Sequence, residues 1–174
     1  MRLECGTCVV RNWTAADKPA LLMHANNPNI WRNLADKFPY PYRESDADAW
    51  LASVAQTAEP SHWVIEAQGA CVGGIGVTLR EDIYKKSGMI GYWLAESFWD
   101  RGIMTAAVQA VAPYAMSRFG LVRLEAAVFE WNFASMRVLE KCGFYREGVL
   151  RASVFKDGKV GNSVVYARVD LSNV

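Results

Sequence analysis

Histidine is scarce in this chain: among 174 residues only His24 and His62 occur. The scarcity matters because Cys5 and Cys8 form a C-x-x-C pair, and the remaining cysteines, Cys71 and Cys142, do not form a second one. A structural zinc site takes four ligands, so no metal is expected, and the cysteines read as reduced, mostly buried thiols. An excess of charge of one sign is also lacking. Lys and Arg number 19 against 18 Asp and Glu, a formal net charge of +1. Affinity for nucleic acid comes largely from neutralising phosphates, so no direct nucleic-acid partner is expected. Long hydrophobic runs are missing as well. No apolar stretch approaches the roughly 18 residues of a membrane span. The opening MRLECGTCVV has neither a signal-peptide core nor a cleavage site. The expectation is a cytoplasmic protein with no membrane partner. Repeats, low-complexity tracts and linkers are absent too, which predicts one domain over residues 1–174.

What is present is a globular composition, 52% hydrophobic and 21% charged. A first strand is predicted near Thr7–Trp13. Thr14 with Asp17, and Ser45 with Asp48, have the spacing of a capped helix start. Between those helices, Phe38-Pro39-Tyr40-Pro41-Tyr42 must be extended or turned. His62–Ala67 and Cys71–Leu79 read as strands joined by a tight turn at Gln68-Gly69, and Ser87–Leu94 as a third. Ile103, Ala106, Ala107, Ala110, Val111 and Tyr114 fit a long amphipathic helix, with a kink or early end expected at Pro113. A strand over Val122–Phe129, a helix over Asn132–Cys142 and two strands around Asp157-Gly158 follow. The order is β-αα-βββ-α-β-α-ββ, an α/β fold with a mixed, mostly antiparallel sheet of about seven strands flanked by helices.

The most informative segment runs from Gly91-Tyr92-Trp93-Leu94 to Trp99-Asp100-Arg101-Gly102-Ile103-Met104-Thr105. A strand ends, a loop follows, and a helix begins near Gly102. The first turn of a helix presents N–H groups without intrahelical partners at the positive end of its dipole, which suits a pyrophosphate. Gly102 allows close approach to its backbone; Arg101 adds a cation and Thr105 a hydroxyl. If the strand before it splays from a neighbour, its backbone can pair with an amide-bearing ligand. The competing reading is that Tyr92 and Trp93 alternate between two packed faces.

GYWL, WDRGIMTAA and NFASMRVLEKCGFYREGVLR, in this order, resemble the GNAT acetyltransferase superfamily. The last stretch, VVRNW and the FPYPY segment are similar to its RimJ/RimL branch, whose members acetylate protein N-terminal amines. The resemblance covers about Val9 to Leu171. It implies a single-domain GNAT fold and acetyl-CoA as co-substrate. By resemblance the backbone of Arg101, Gly102, Ile103, Met104 and Thr105 holds the pyrophosphate, Tyr92, Trp93 and Leu94 pair with pantetheine, and Asn132 and Ser135 line its thiol end. Asn132 is equally well placed as a helix N-cap. Trp99 and Met104 depart from the superfamily's general Gln/Arg-x-x-Gly-x-Gly/Ala signature, of which Gly102 is retained.

The resemblance further implies direct attack of an amine on the thioester in a ternary complex. Such attack needs a base or a water to deprotonate the amine, an N–H donor for the developing oxyanion, here Trp93 or Leu94, and a proton donor for the thiolate. Where many relatives carry a tyrosine donor this chain has Leu139, so Ser135 is the catalytic candidate, against a purely capping role. Val154 and Met89 stand where some relatives have glutamates, which leaves Glu130, Tyr145, Glu147, His24 or a water as base. Trp31, Tyr40 and Tyr42 are candidate walls of an acceptor cleft, or else core packing. The acceptor is a protein N-terminal amine by resemblance, with a small-molecule amine or a longer acyl group as the alternative. A catalytically inactive acyl-CoA-binding module is the alternative of another class. A homodimer is left open.

Overall fold

In the computed structural model, residues 1–173 are described. The strands are β1 (Arg2–Glu4), β2 (Val9–Arg11), β3 (His62–Ala67), β4 (Ala70–Leu79), β5 (Ser87–Leu94), β6 (Arg123–Phe129), β7 (Tyr145–Lys156) and β8 (Lys159–Val169). The helices are α1 (Lys18–Ala25), α2 (Pro28–Trp31), α3 (Glu44–Gln56), α4 (Ile103–Arg118) and α5 (Phe133–Lys141). The strands form one 8-stranded sheet in the order β1-β2-β3-β4-β5-β6-β8-β7. Among the recorded pairs only β5 with β6 is parallel. The expected sheet of about seven strands forms with eight. The addition is β1, which pairs antiparallel with β2, so Cys5 and Cys8 fall at the hairpin that joins them. The two predicted tight turns form as expected. Gln68 and Gly69 have φ of 54° and 77°, Asp157 and Gly158 of 52° and 74°, the left-handed pair that a two-residue hairpin demands. No helix among the described residues is long and apolar enough to cross a membrane.

Contacts divide the chain into two compact units: Met1–Gly76 with Tyr92–Ala107, and Val77–Gly91 with the chain from Val108 on. The first unit buries Trp63, Val64 and Ile65 of β3 and Cys71, Val72 and Ile75 of β4. A helical cluster of Leu21, Ala25, Tyr42 and Ala47 is joined by Trp13, Phe38, Trp50 and Trp93. The Thr14 start forms in part: the Thr14 N–H donates to Asp17 Oδ2 at 2.8 Å, but the hydroxyl expected to cap donates to the same oxygen at 3.0 Å, and a 3-10 turn over Ala15–Asp17 precedes α1. The Ser45 start is corrected. The cap lies two residues earlier, where the Arg43 N–H donates to Asp46 Oδ2 at 2.7 Å, and Asp48 instead pairs with Lys18 at 2.6 Å.

Asp17 is 4% exposed. Arg11 donates to both its oxygens at 2.9 and 2.7 Å and to Glu66 at 2.6 Å. Burial raises the Asp17 pKa, but Arg11 and the Thr14 N–H outweigh it, and the net direction is down. A carboxyl depressed in the folded state stabilises fully above its unfolded value of about 3.9, and that stability is lost as pH falls through the folded value. Asp17→Asn should therefore cost about 3 kcal/mol at neutral pH, because it strips a charge from a buried network. In urea titrations the gap between wild type and variant should close only below about pH 4.

The second unit buries Val108, Val111, Ala112, Ala115 and Met116 of α4 together with Leu121, Leu124, Leu139, Phe144 and Tyr166. The expected kink or early end at Pro113 is corrected as to the end: α4 runs on to Arg118. Pro113 is exposed, and the buried residues on either side of it hold the helix past the lost backbone donor.

Candidate active site

The loop between β5 and α4 belongs wholly to the first unit. β5 ends at Leu94, and Ala95 N–H donates to Val72 O of β4 at 2.7 Å. The Trp99 indole N–H reaches back to Leu94 O at 2.8 Å and closes the loop. Asp100 and Gly102 then take φ of 58° and 74°, turning the chain into α4. The first i→i−4 bond of the helix runs from Ala106 N–H to Gly102 O at 3.0 Å. The N–H groups of Ile103 and Met104 precede that bond, in the first turn of the helix. Ile103 and Met104 bury their side chains, at 5% and 8% exposure, which fixes the turn from beneath. A Cβ placed on Gly102 would meet nothing within 4 Å, so the backbone there faces open space. Arg101 is exposed, its guanidinium 5.1 Å from the centre of the Phe98 ring. An anion has donors, dipole and room at this turn.

The parallel ladder of β5 with β6 covers Ser87–Met89 opposite Arg123–Glu125, while β5 continues to Leu94. Within β5, Trp93 O faces β4, because a Cβ on Gly73 would run into it. Ala95 N–H faces the same way. Backbone groups alternate along a strand, so the Leu94 N–H points away from β4. Leu94 O is already taken by Trp99, which leaves the Leu94 N–H, and not that of Trp93, as the outward donor. The Trp93 side chain packs on Phe38, ring centres 5.7 Å apart; Tyr92 is half-buried. Part of the packing alternative thus holds for Trp93, alongside its backbone geometry.

In the second unit, Asn132 caps α5: its Oδ1 accepts from Ser135 N–H at 3.2 Å. Ser135 is half-buried in the first turn of that helix. Leu139 is fully buried and packs in place of a proton donor. Of the candidate bases, Glu147 is clamped by Arg123 Nη1 at 2.8 Å and Nη2 at 2.5 Å. That clamp holds its carboxyl below the usual range, a poor setting for accepting a proton. Glu130 receives Asn162 N–H and Nδ2 at 2.9 and 2.8 Å. Tyr145 is 78% exposed. His24 is half-buried, edge-on to Phe98 with centres 6.1 Å apart, and burial lowers its pKa. Among the described residues no group of three or more His, Cys, Asp or Glu could hold a metal ion.

On the predicted acceptor side, Trp31 and Tyr40 form an aromatic pair, centres 5.7 Å apart and 32° between planes, with Tyr40 44% exposed. Tyr42 is corrected from cleft wall to core. It is 7% exposed, packed in the helical cluster, and burial pushes its hydroxyl pKa up to about 12.

A helix start with open space before it thus follows a strand whose parallel ladder with β6 stops at Met89. The acetyltransferase (GNAT) domain family matches residues 8–145, and the chain belongs to that family. It is an acetyl-CoA-dependent N-acetyltransferase. YoaA of Bacillus subtilis (strain 168), named an uncharacterized N-acetyltransferase, is 32% identical over 174 residues, 96% of each chain. YjcK of the same organism, named a probable N-acetyltransferase, is 45% identical over 73 residues, and that match spans 42% of this chain and 40% of YjcK. The fold superposes on a RimL ribosomal L7/L12 alpha-N-protein acetyltransferase in complex with coenzyme A, with a TM-score of 0.86, 24% identity and coverage of 97% and 98% of the two chains.

Proposed function

We propose that this chain transfers an acetyl group from acetyl-CoA to a primary amine, with the N-terminal amine of a protein or peptide as acceptor, by direct attack in a ternary complex in the cytoplasm. What chiefly supports the reading is the opening of α4, where Gly102, at φ 74°, has open space in front of its backbone. The choice of acceptor is supported by the likeness to RimL, a protein N-terminal acetyltransferase by its name. Acetyl-CoA supplies the activated thioester. The N–H groups of Ile103, Met104 and Thr105 bind pyrophosphate, with Arg101 as an exposed cation beside them. Tyr92 presents backbone to the pantetheine amides, and the Leu94 N–H stabilises negative charge developing on the carbonyl oxygen. Asn132 both caps α5 and fixes Ser135, which donates a proton to the departing thiolate, while a water takes the proton that the attacking amine gives up. Glu147 stays ionised in its Arg123 clamp and takes no part.

The test is release of free thiol with peptides that differ only in a free or blocked N-terminus. Free N-termini should be acetylated and blocked ones should not. Ser135→Ala should lower kcat about 10²-fold, in the range of general acid catalysis, and leave the KM for acetyl-CoA within about twofold. An unchanged kcat would remove Ser135 from the mechanism. Turnover of small amines with none of peptides would overturn the acceptor assignment.

A further inference from the structure

The first unit carries a cleft of about 410 Å³ lined by Met23, His24, Asn27, Glu96 and Ser97, which the chemistry above does not use. Glu96 lies in the short turn between the end of β5 and Gly102. Its carboxylate is held in place: Asn27 Nδ2 donates to it at 2.7 Å, and Asn29 Nδ2 at 3.0 and 3.1 Å. Both amides come from the start of α2, where Asn27 also caps the helix by accepting from Asn29 N–H at 2.8 Å. The anion is therefore held at an exposed position by two side-chain amides. Hydrogen bonds from neutral amides neutralise none of its charge, and they leave lone pairs for another donor.

The other lining groups are compatible with a cation. His24 is held toward its neutral form by burial, so it adds no opposing charge. Met23 is 76% exposed and offers a soft apolar flank to an alkyl chain. Ser97 brings a hydroxyl. Arg101, the next cation along the chain, is drawn onto the Phe98 ring. Trp31 sits one turn along α2 from Asn27, its N–H bonded to Asn27 O at 3.0 Å.

We propose that this cleft docks the acceptor and that Glu96 selects acceptors carrying a positive charge besides the reacting amine, such as a lysine or arginine close to a peptide N-terminus. The inference rests on the amine-transfer reading above. It concerns a second cation, because a carboxylate against the reacting amine would favour the ammonium, which has no lone pair for attack.

The test compares two acceptor peptides, alike except for lysine or leucine at the second position, with wild type and Glu96→Gln. Glutamine can still accept from Asn27 and Asn29, so the change removes charge and little else. Wild type should favour the lysine peptide by about threefold in kcat/KM through KM, the size of an exposed charge-pair effect. The variant should lose that preference, with the leucine peptide and the KM for acetyl-CoA unchanged. A binding arm needs no turnover. Spermidine titrated into wild type should shift the His24 ring resonances and saturate, and should do neither with Glu96→Gln. Equal loss on both peptides, or an undiminished preference in the variant, would overturn the proposal, as would spermidine that leaves His24 unmoved. Wild type that binds spermidine at His24 yet acetylates no amine would sink the transferase assignment and leave the cation site standing.

Discussion

Gly102→Glu should abolish the stabilisation that acetyl-CoA confers on the folded protein. A ligand that binds only the folded state at about 100 times its Kd adds about 2.7 kcal/mol. For a chain of this size that is roughly 5–10 °C in Tm. Position 102 is sensitive for two separate reasons. Its φ of 74° lies in the left-handed region, where a side chain costs about 1 kcal/mol. The Cβ it lacks would also project into the open space before the first turn of α4. A carboxylate there would occupy the room meant for phosphate and repel its charge. Gly102→Ala separates the two effects. It bears the same backbone cost in the absence of ligand but adds no charge, so it should keep a part of the ligand-induced shift. A glutamate variant that melts a few degrees lower yet gains the full shift would place the pyrophosphate elsewhere.

The features legible in the sequence are those fixed by neighbours along the chain. Two-residue turns at Gln68-Gly69 and Asp157-Gly158 need left-handed residues, and glycine announces them. The Thr14 cap is readable because its partner, Asp17, is three residues away. The α3 start was misplaced because the actual N-cap is Arg43, which caps through its backbone N–H and carbonyl, groups that leave no mark in the residue type. Pro113 misled in the other direction: a local rule against proline yields where flanking residues are buried. Tyr42 and Tyr40 look alike in FPYPY, yet one is core and the other exposed, and that choice is made by α1 and α3 packing. Glu96 drew no notice at all. The amides that make it a fixed anion come from Asn27 and Asn29, 69 and 67 positions away, and no spacing rule spans that distance. The residues of the helix mouth were readable as a group because strand, turn and helix start are contiguous. What the sequence could not assign was which backbone donor faces outward, because that depends on the direction in which β4 pairs.

The pairing with β4 also identifies the most exacting position outside the helix mouth. Gly73→Ala should destabilise the fold by about 1–3 kcal/mol, the usual cost of forcing an extra carbon into a packed interior, and should weaken acetyl-CoA binding about tenfold. The added Cβ would run into Trp93 O and come within 3.2 Å of Leu94 Cα. Those are backbone atoms, which cannot swing aside as a side-chain tip can. Relief requires β5 to move away from β4 at the point where Leu94 N–H is aimed and Leu94 O is tied to Trp99. A shift there therefore disturbs both the strand donor and the loop that leads into Gly102. Gly148→Ala is the control. Gly148 also lies in a strand, but a Cβ there meets nothing within 4 Å, so the change should be neutral or stabilise by up to about 1 kcal/mol. Urea denaturation and calorimetric titration with acetyl-CoA measure the two effects separately. If Gly73→Ala lost stability but bound acetyl-CoA with wild-type affinity, the strand at Trp93–Leu94 would be a packing element only, and the oxyanion donor would have to be sought outside β5.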